Sequence, residues 1–288
     1  MSAALQRVQY GLTRLRYFQS FGRAAVDWHE RWTVLRYATY DLAGRASPLF
    51  RPPPGEPRVL SLDLNGAHHF VALGRNEDLA LHELYVSRVY ERLDDFVPRP
   101  GWTVLDLGAN VGMFSVQQAR RGARVYAFEP NPDCFRRFAR AIEANGLSEL
   151  IFARNVALGR TVGRGQLVVG QSSLAGSLHA DKIPEAQRSK TFSVEVTTVD
   201  ECVKDVGIQH IDLMKVDTEW AELDVLAGAE DVLRNVDRIV MECHTPEIAD
   251  QAEEFLFDRG FELALRDRTY DEAGYCNLHF RHLHGTDC

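Results

Sequence analysis

No apolar run in this chain approaches the roughly 18 to 20 residues needed to span a bilayer, so no membrane helix is expected. The first residues also lack the short apolar block and cleavage site of a secretory signal, which points to a cytoplasmic protein. Five cysteines (Cys134, Cys202, Cys243, Cys276, Cys288) are odd in number and scattered without metal-type pairing, as expected of reduced thiols. Basic charge is scarce: the net charge is -8, which argues against nucleic acid as a bulk partner. What is present is enough apolar residue, 45% of 288, to bury a full core as one large domain with an appendage.

The charge is uneven. Residues 1 to 48 hold seven Arg against three acids, a net of +4, which leaves -12 on the remainder. Leu5, Val8, Leu12, Leu15, Phe18 and Phe21 recur at helical spacing among those arginines, so residues 4 to 40 read as one or two amphipathic helices. Such a basic arm could dock on its own domain, on a second copy in a homodimer, or on an anionic membrane surface. Pro52-Pro53-Pro54-Gly55 then forbids helix and forms a stiff linker. Arg58 to Leu62 and His69 to Leu73 flank the turn dipeptide Asn65-Gly66, predicting a hairpin, and a helix is expected from Leu79 to Phe96. The expected organisation is a helical extension with linker at 1–56, a hairpin and helix at 57–100, and a core at 101–288.

Within that core, apolar strands near 103–107, 124–128, 150–156, 211–216 and 238–243 alternate with helical stretches near 112–121, 133–145, 220–234 and 246–258. This alternation predicts a doubly wound parallel α/β sheet. Phe261 to Leu265 and Tyr275 to Leu283 leave no room for a helix between them, so they should form a hairpin and reverse the last strand. Gln166 to Val169 and Phe192 to Thr198 read as a two-stranded insertion, within about 160–199, carrying a polar loop that includes Ser173. That loop either reaches the ligand or forms a surface hairpin.

The run Asp106-Leu107-Gly108-Ala109-Asn110-Val111-Gly112, with Glu129 twenty-one residues after Gly108, reads as a cofactor-binding strand, turn and helix. It too lacks something: the second glycine of a dinucleotide turn, which lets backbone close on a pyrophosphate, is Asn110. S-adenosylmethionine has no phosphate, and its ammonium group would find Asp106 a natural partner. The run therefore favours S-adenosylmethionine, with a nicotinamide or nucleotide-sugar cofactor as the disfavoured alternative.

Lys215, Asp217 and Glu219 alternate after the fourth core strand, which turns all three to one side. Asp217 is a candidate base, acceptor anchor or support for the methionine ammonium, with Lys215 as its partner. Met241-Glu242-Cys243-His244 ends the neighbouring strand, so Glu242 or His244 can face Asp217, and an unperturbed imidazole titrating near ~6.5 makes His244 a candidate base. Asp217, Glu219 and Glu242 also suit a magnesium ion, although a metal-free mechanism is the favoured expectation. His279, His282 and His284 do not converge without a turn.

Taken together, these blocks resemble the FkbM family of S-adenosylmethionine-dependent methyltransferases. The matching residues are Asp106 to Gly112, Ala127-Phe128-Glu129-Pro130, Asn155-Val156-Ala157-Leu158, Thr198-Val199-Asp200, Lys215-Val216-Asp217-Thr218-Glu219 and Val225-Leu226-Ala227-Gly228-Ala229. The resemblance implies a Rossmann-like class I methyltransferase fold, a seven-stranded sheet with an antiparallel last strand. It implies that Asp106, Gly108, Asn110 and Gly112 line the methionine end and Glu129 holds the ribose. Pro130 and Asn131 would flank the adenine, with Asn155, Val156 and Ala157 closing its edge. The family usually has glycine where this chain has Trp220, which, with Glu219 and Ser173, is a candidate wall of the acceptor site. The expected reaction is methylation of a hydroxyl on a sugar or secondary metabolite. Amine or carboxyl acceptors, or a non-catalytic scaffold, are the alternatives.

Overall fold

The computed structural model describes residues 59–64, 66–72, 77–170, 176–267 and 275–283. The expected N-terminal helices, the proline linker, Asn65, Ser173 and His284 lie outside the described residues.

A hairpin of β1 (Val59–Leu64) and β2 (Ala67–Ala72) opens the described chain, followed by α1 (Glu77–His82). The helix expected as far as Phe96 does not run through. One π turn (Glu83–Ser87) follows α1, Arg88 takes a left-handed φ of 51°, and only a 3-10 turn (Asp94–Phe96) remains. A non-glycine residue at positive φ ends a right-handed helix. The break delivers Tyr90 inward, where it is buried.

The core then alternates as expected: β3 (Thr103–Leu107), α2 (Met113–Arg120), β4 (Arg124–Phe128), α3 (Pro132–Ala144) and β5 (Ile151–Arg154). Next comes the insertion, in which β6 (Ala157–Leu158), β7 (Gly163–Gly170), β8 (Gly176–Ser177) and β9 (Arg188–Thr197) make a separate four-stranded sheet. The short α4 (Val199–Val206) was not anticipated. Its start was legible, because Thr198-Val199-Asp200-Glu201 has the capping-box pattern, and the Thr198 hydroxyl accepts the Glu201 N–H. The chain continues through β10 (Leu213–Val216), α5 (Glu222–Ala227), β11 (Arg238–Cys243), α6 (Pro246–Phe257), β12 (Phe261–Asp267) and β13 (Cys276–His282). The helix expected over 220–234 is thus shorter, giving way after Ala227 to turns and a 3-10 segment at Leu233–Asn235.

The main sheet has the order β12-β13-β11-β10-β3-β4-β5, with only β13 reversed. This is the Rossmann-like class I methyltransferase arrangement, and the reversed strand inserts between β11 and β12. Helices cover both faces, so side chains alternate between two cores. Val104 and Val125 join the core under the hairpin, α2 and α3, whereas Leu105, Leu107, Tyr126 and Phe128 join the one under α4, α5 and α6. Chain order reverses at β3, which leaves a crevice beyond the C-terminal ends of β3 and β10.

Candidate active site

The crevice is a cleft open to solvent. Its lining comprises the turn after β3 (Gly108, Asn110), the end of β4 (Phe128, Glu129, Pro130, Asn131) and the segment after β5 (Val156, Ala157, Leu158). Leu167, Gly176 and Leu178 of the insertion join Asp217, Thr218, Glu219 and Ala221 after β10 to complete it. The insertion is therefore part of the cleft. Ser177 ties it down further by donating its hydroxyl to the Glu219 carbonyl at 2.7 Å.

Seven of the ten expected cofactor residues line the cleft: Gly108, Asn110, Glu129, Pro130, Asn131, Val156 and Ala157. Three do not, each for a visible reason. Asp106 is fully buried and accepts from the Ser115 hydroxyl at 2.6 Å and from Lys215 Nζ at 3.1 Å, so its oxygens are engaged beneath the turn. Gly112 starts α2 at φ 79°, and a Cβ there would fall 1.9 Å from the Phe138 ring. It is a packing glycine. Asn155 donates its amide to the carbonyls of Glu129 (2.7 Å) and Pro130 (3.1 Å), fixing the cleft wall from behind.

Gly108 is required on two counts. Its φ is +88°, and a Cβ would lie 1.8 Å from the Asp217 carbonyl, so the turns after β3 and β10 touch only because the side chain is absent. Glu129 bridges the next two turns, accepting the N–H of Asn110 and of Asn131, each at 2.7 Å. Each carboxylate oxygen retains a further acceptor position.

A second cluster gathers at the ends of β10 and β11. Lys215 Nζ reaches Asp106, the Gly108 carbonyl (2.9 Å) and Asp217 (3.4 Å). The Tyr90 hydroxyl donates to Asp217 at 3.0 Å and lies 3.3 Å from Glu242. His244 sits between two acids, with Nε2 3.2 Å from Glu219 and Nδ1 2.8 Å from Glu222. Trp220 does not line the cleft. Its ring packs against His244 with centroids 5.2 Å apart, and Lys182 Nζ of the insertion lies over the ring at 5.2 Å. Its backbone takes φ 78°, a conformation natural to glycine, and its N–H is held by Glu222 at 2.9 Å.

Comparison with known proteins agrees with this geometry. The FkbM methyltransferase domain matches residues 106–263. The chain belongs to the FkbM methyltransferase family. It is 31% identical over 248 residues to the AMB antimetabolite synthetase AmbE of Pseudomonas aeruginosa, a match covering 72% of this chain and 12% of AmbE. It is 30% identical to methyltransferase sdnD of Sordaria araneosa, covering 57% of this chain and 75% of that protein. It is 27% identical to the 31-O-demethyl-FK506 methyltransferase FkbM of Streptomyces tacrolimicus, covering 56% and 72%. The chain thus carries an S-adenosylmethionine-dependent methyltransferase domain and spans only a small part of AmbE.

Electrostatics divide this FkbM site. Burial pushes the Glu129 carboxyl up to about 7, against the pull of its two backbone N–H bonds. Burial would lower His244, but the bonds from Glu219 and Glu222 outweigh it and push the imidazole up to about 12. The two acids thus hold His244 above the range near neutrality expected for an unperturbed imidazole. Burial, then Asp217, raises Glu242 well above the carboxylate range, and burial with the same two acids raises the Tyr90 phenol. Burial would lower Lys215, yet Asp106 and Asp217 hold it above its ordinary value. Tyr90 and Glu222 escaped the sequence reading. No local pattern marks Tyr90, whose position depends on the helix break at Arg88. Glu222 carries a trace, as an acid in the first turn of a helix.

Proposed function

We propose that the protein moves a methyl group from S-adenosylmethionine to a hydroxyl of a sugar or secondary metabolite. The observation that carries this reading is the meeting of Asp217, Thr218 and Glu219 with the turn of Gly108 and Asn110 along one cleft. Gly108 and Asn110 would take the methionine end, Glu129 the ribose hydroxyls, and Pro130, Asn131, Val156 and Ala157 the adenine. The attacking hydroxyl would rest against Asp217, whose carboxylate is 23% exposed, and would give it the proton as oxygen bonds to the methyl carbon. The carbon–sulfur pair leaves with sulfur, giving neutral S-adenosylhomocysteine. Lys215 and Tyr90 would hold Asp217 in place, and Glu219 would border the acceptor, with Trp220 behind it against His244. Hydroxyl methylation is supported by the relative that acts on 31-O-demethyl-FK506.

The same reading assigns residues 1–56 to an extension able to pair two copies, 57–100 to a bridge and 101–288 to the catalytic core. It also assigns the protein to the cytoplasm, in keeping with free, buried cysteines among the described residues. Calorimetric titration with S-adenosylhomocysteine, with NADH as control, tests the cofactor half. Binding of S-adenosylhomocysteine alone at micromolar concentration is expected, and preference for NADH would overturn the reading. A panel of sugar and natural-product alcohols with radiolabelled methyl donor then tests the acceptor half.

A further inference from the structure

We propose that Asp217, Glu219 and His244 bind one divalent cation, manganese-like rather than magnesium-like, which holds two neighbouring oxygens of the acceptor. The proposal rests on the methyl-transfer reading above and narrows its acceptor to a vicinal diol or a hydroxyl beside a carbonyl or carboxylate. It departs from the metal-free mechanism expected from the sequence.

One ligand atom from each of the three residues lies within 4.8 Å of the other two. Donors around a first-row ion at 2.0 to 2.3 Å stand roughly 3 to 4.6 Å apart, so a modest inward movement suffices. His244 is 4% exposed, and Glu222 behind it engages Nδ1 at 2.8 Å, which directs Nε2 toward Glu219 and Asp217. A carboxylate holding the far nitrogen of a histidine fixes the tautomer and ring angle that a metal needs.

Two buried polar atoms at the same place have no hydrogen-bond partner. One is the second oxygen of the fully buried Glu222. The other is the hydroxyl of Thr218, which stands between two of the ligands and lines the cleft. The contacts of Asp217 with Tyr90 and Lys215 both fall on Oδ2 and leave its second oxygen for the ion. Charge points the same way: Asp106, Asp217, Glu219 and Glu222 lie within ion-pair distance of Lys215 or His244, four carboxyl groups to two cations. An imidazole among the ligands favours manganese, iron or zinc over magnesium. Three protein ligands leave open positions on the cleft side, where two acceptor oxygens would complete the shell.

Another trio, His210, Asp212 and Asp237, meets at the opposite end of β10 and β11. It is more exposed, Asp212 already accepts the Thr103 N–H, and Asp237 lies 3.4 Å from Arg238. It serves as the control.

The experiment titrates the full chain with Mn²⁺, reading free ion by electron paramagnetic resonance, with S-adenosylhomocysteine calorimetry on every variant as the test of fold. One Mn²⁺ per chain is expected. Asp217→Asn and His244→Ala should each weaken it by at least about tenfold, Glu222→Gln by about tenfold, and His210→Ala not at all. If either ligand variant fails to bind S-adenosylhomocysteine, Glu219→Gln replaces it. The proposal is overturned if a chain that binds S-adenosylhomocysteine takes up no Mn²⁺ at about 1 mM, or if binding is lost with His210 and kept without Asp217. Failure of the cofactor reading shows separately, as absence of S-adenosylhomocysteine binding by the unaltered chain.

Discussion

The two ends of the cleft are built by different means. At the β3–β4 end the walls are mostly backbone and small side chains: Gly108 packed on the Asp217 carbonyl, Glu129 gripping two N–H groups, Asn155 bracing two carbonyls. At the β10–β11 end the ionisable side chains of Asp217 and Glu219 line the cleft, and Tyr90, Glu222, Glu242 and His244 stand behind them. A cofactor shared by many enzymes calls for a fixed shape, which backbone geometry supplies. An acceptor peculiar to one enzyme calls for adjustable chemistry, which side chains supply. Substitutions at the two ends should therefore fail differently.

The largest effect is expected at the point where the two ends touch. Gly108→Ala places a methyl group 1.8 Å from the Asp217 carbonyl at a φ of +88°, and neither backbone can yield without moving its strand end. A loss of about 3 kcal/mol or more in unfolding free energy is expected, together with S-adenosylhomocysteine binding. Chemical denaturation and calorimetry on one preparation measure both. Retention of tight binding would show that the turns are not locked together.

Asp217→Asn should come next and separate the ends. Turnover is expected to fall by about a hundredfold or more while affinity for S-adenosylhomocysteine changes by less than about twofold. Equal loss of both would move Asp217 from the acceptor end to the cofactor end. Asp106 makes an instructive contrast, since the two aspartates are both within reach of Lys215. Asp106 is fully buried, so Asp106→Ala should act through stability, by roughly 3 kcal/mol, as the buried Lys215 loses the nearer of its two acids.

Glu129 permits a pH test of the cofactor end. Its folded carboxyl is raised to about 7, so protonation, not ionisation, is what folding favours there, and the ionised form carries a cost as pH rises from the usual carboxylate range toward 7. Ribose hydroxyls donate to the ionised form. Affinity for S-adenosylhomocysteine should accordingly decline as pH falls below about 7 and level off above it. Glu129→Gln should weaken binding by about 1 to 3 kcal/mol and flatten that profile. A pH-independent affinity in the unaltered protein would remove the ribose role.

How much of this was legible in the sequence follows the same division. Every core strand, the reversed last strand and the glycine turn were readable, because period, apolar runs and turn residues are local signals. Asp106 has a partner that the sequence did not announce: it shows an acid ending a strand and cannot show that Lys215, 109 residues later, lies opposite it in register. Tyr90 and Glu222 were not readable as site residues, since the first depends on one left-handed residue at Arg88 and the second on a histidine 22 residues away. Local rules specify the β3–β4 end to a large extent, while the β10–β11 end exists only after tertiary folding.

Trp220 is where the two ways of building conflict, and it carries the smallest expected effect. Its backbone sits at φ 78° directly after Glu219 at φ 50°, two consecutive left-handed residues with side chains. Holding a tryptophan there costs on the order of 1 to 3 kcal/mol, part of which its packing on His244 and beneath Lys182 returns. Trp220→Gly removes both strain and packing, so the two contributions oppose each other and the net change in unfolding free energy should stay within about 1 kcal/mol. Cofactor affinity should not move, because the ring does not line the cleft. The Michaelis constant for the acceptor should rise, since His244 loses the ring that packs against it. A variant with unaltered acceptor kinetics would assign Trp220 to packing alone and leave the acceptor end to the acids around His244.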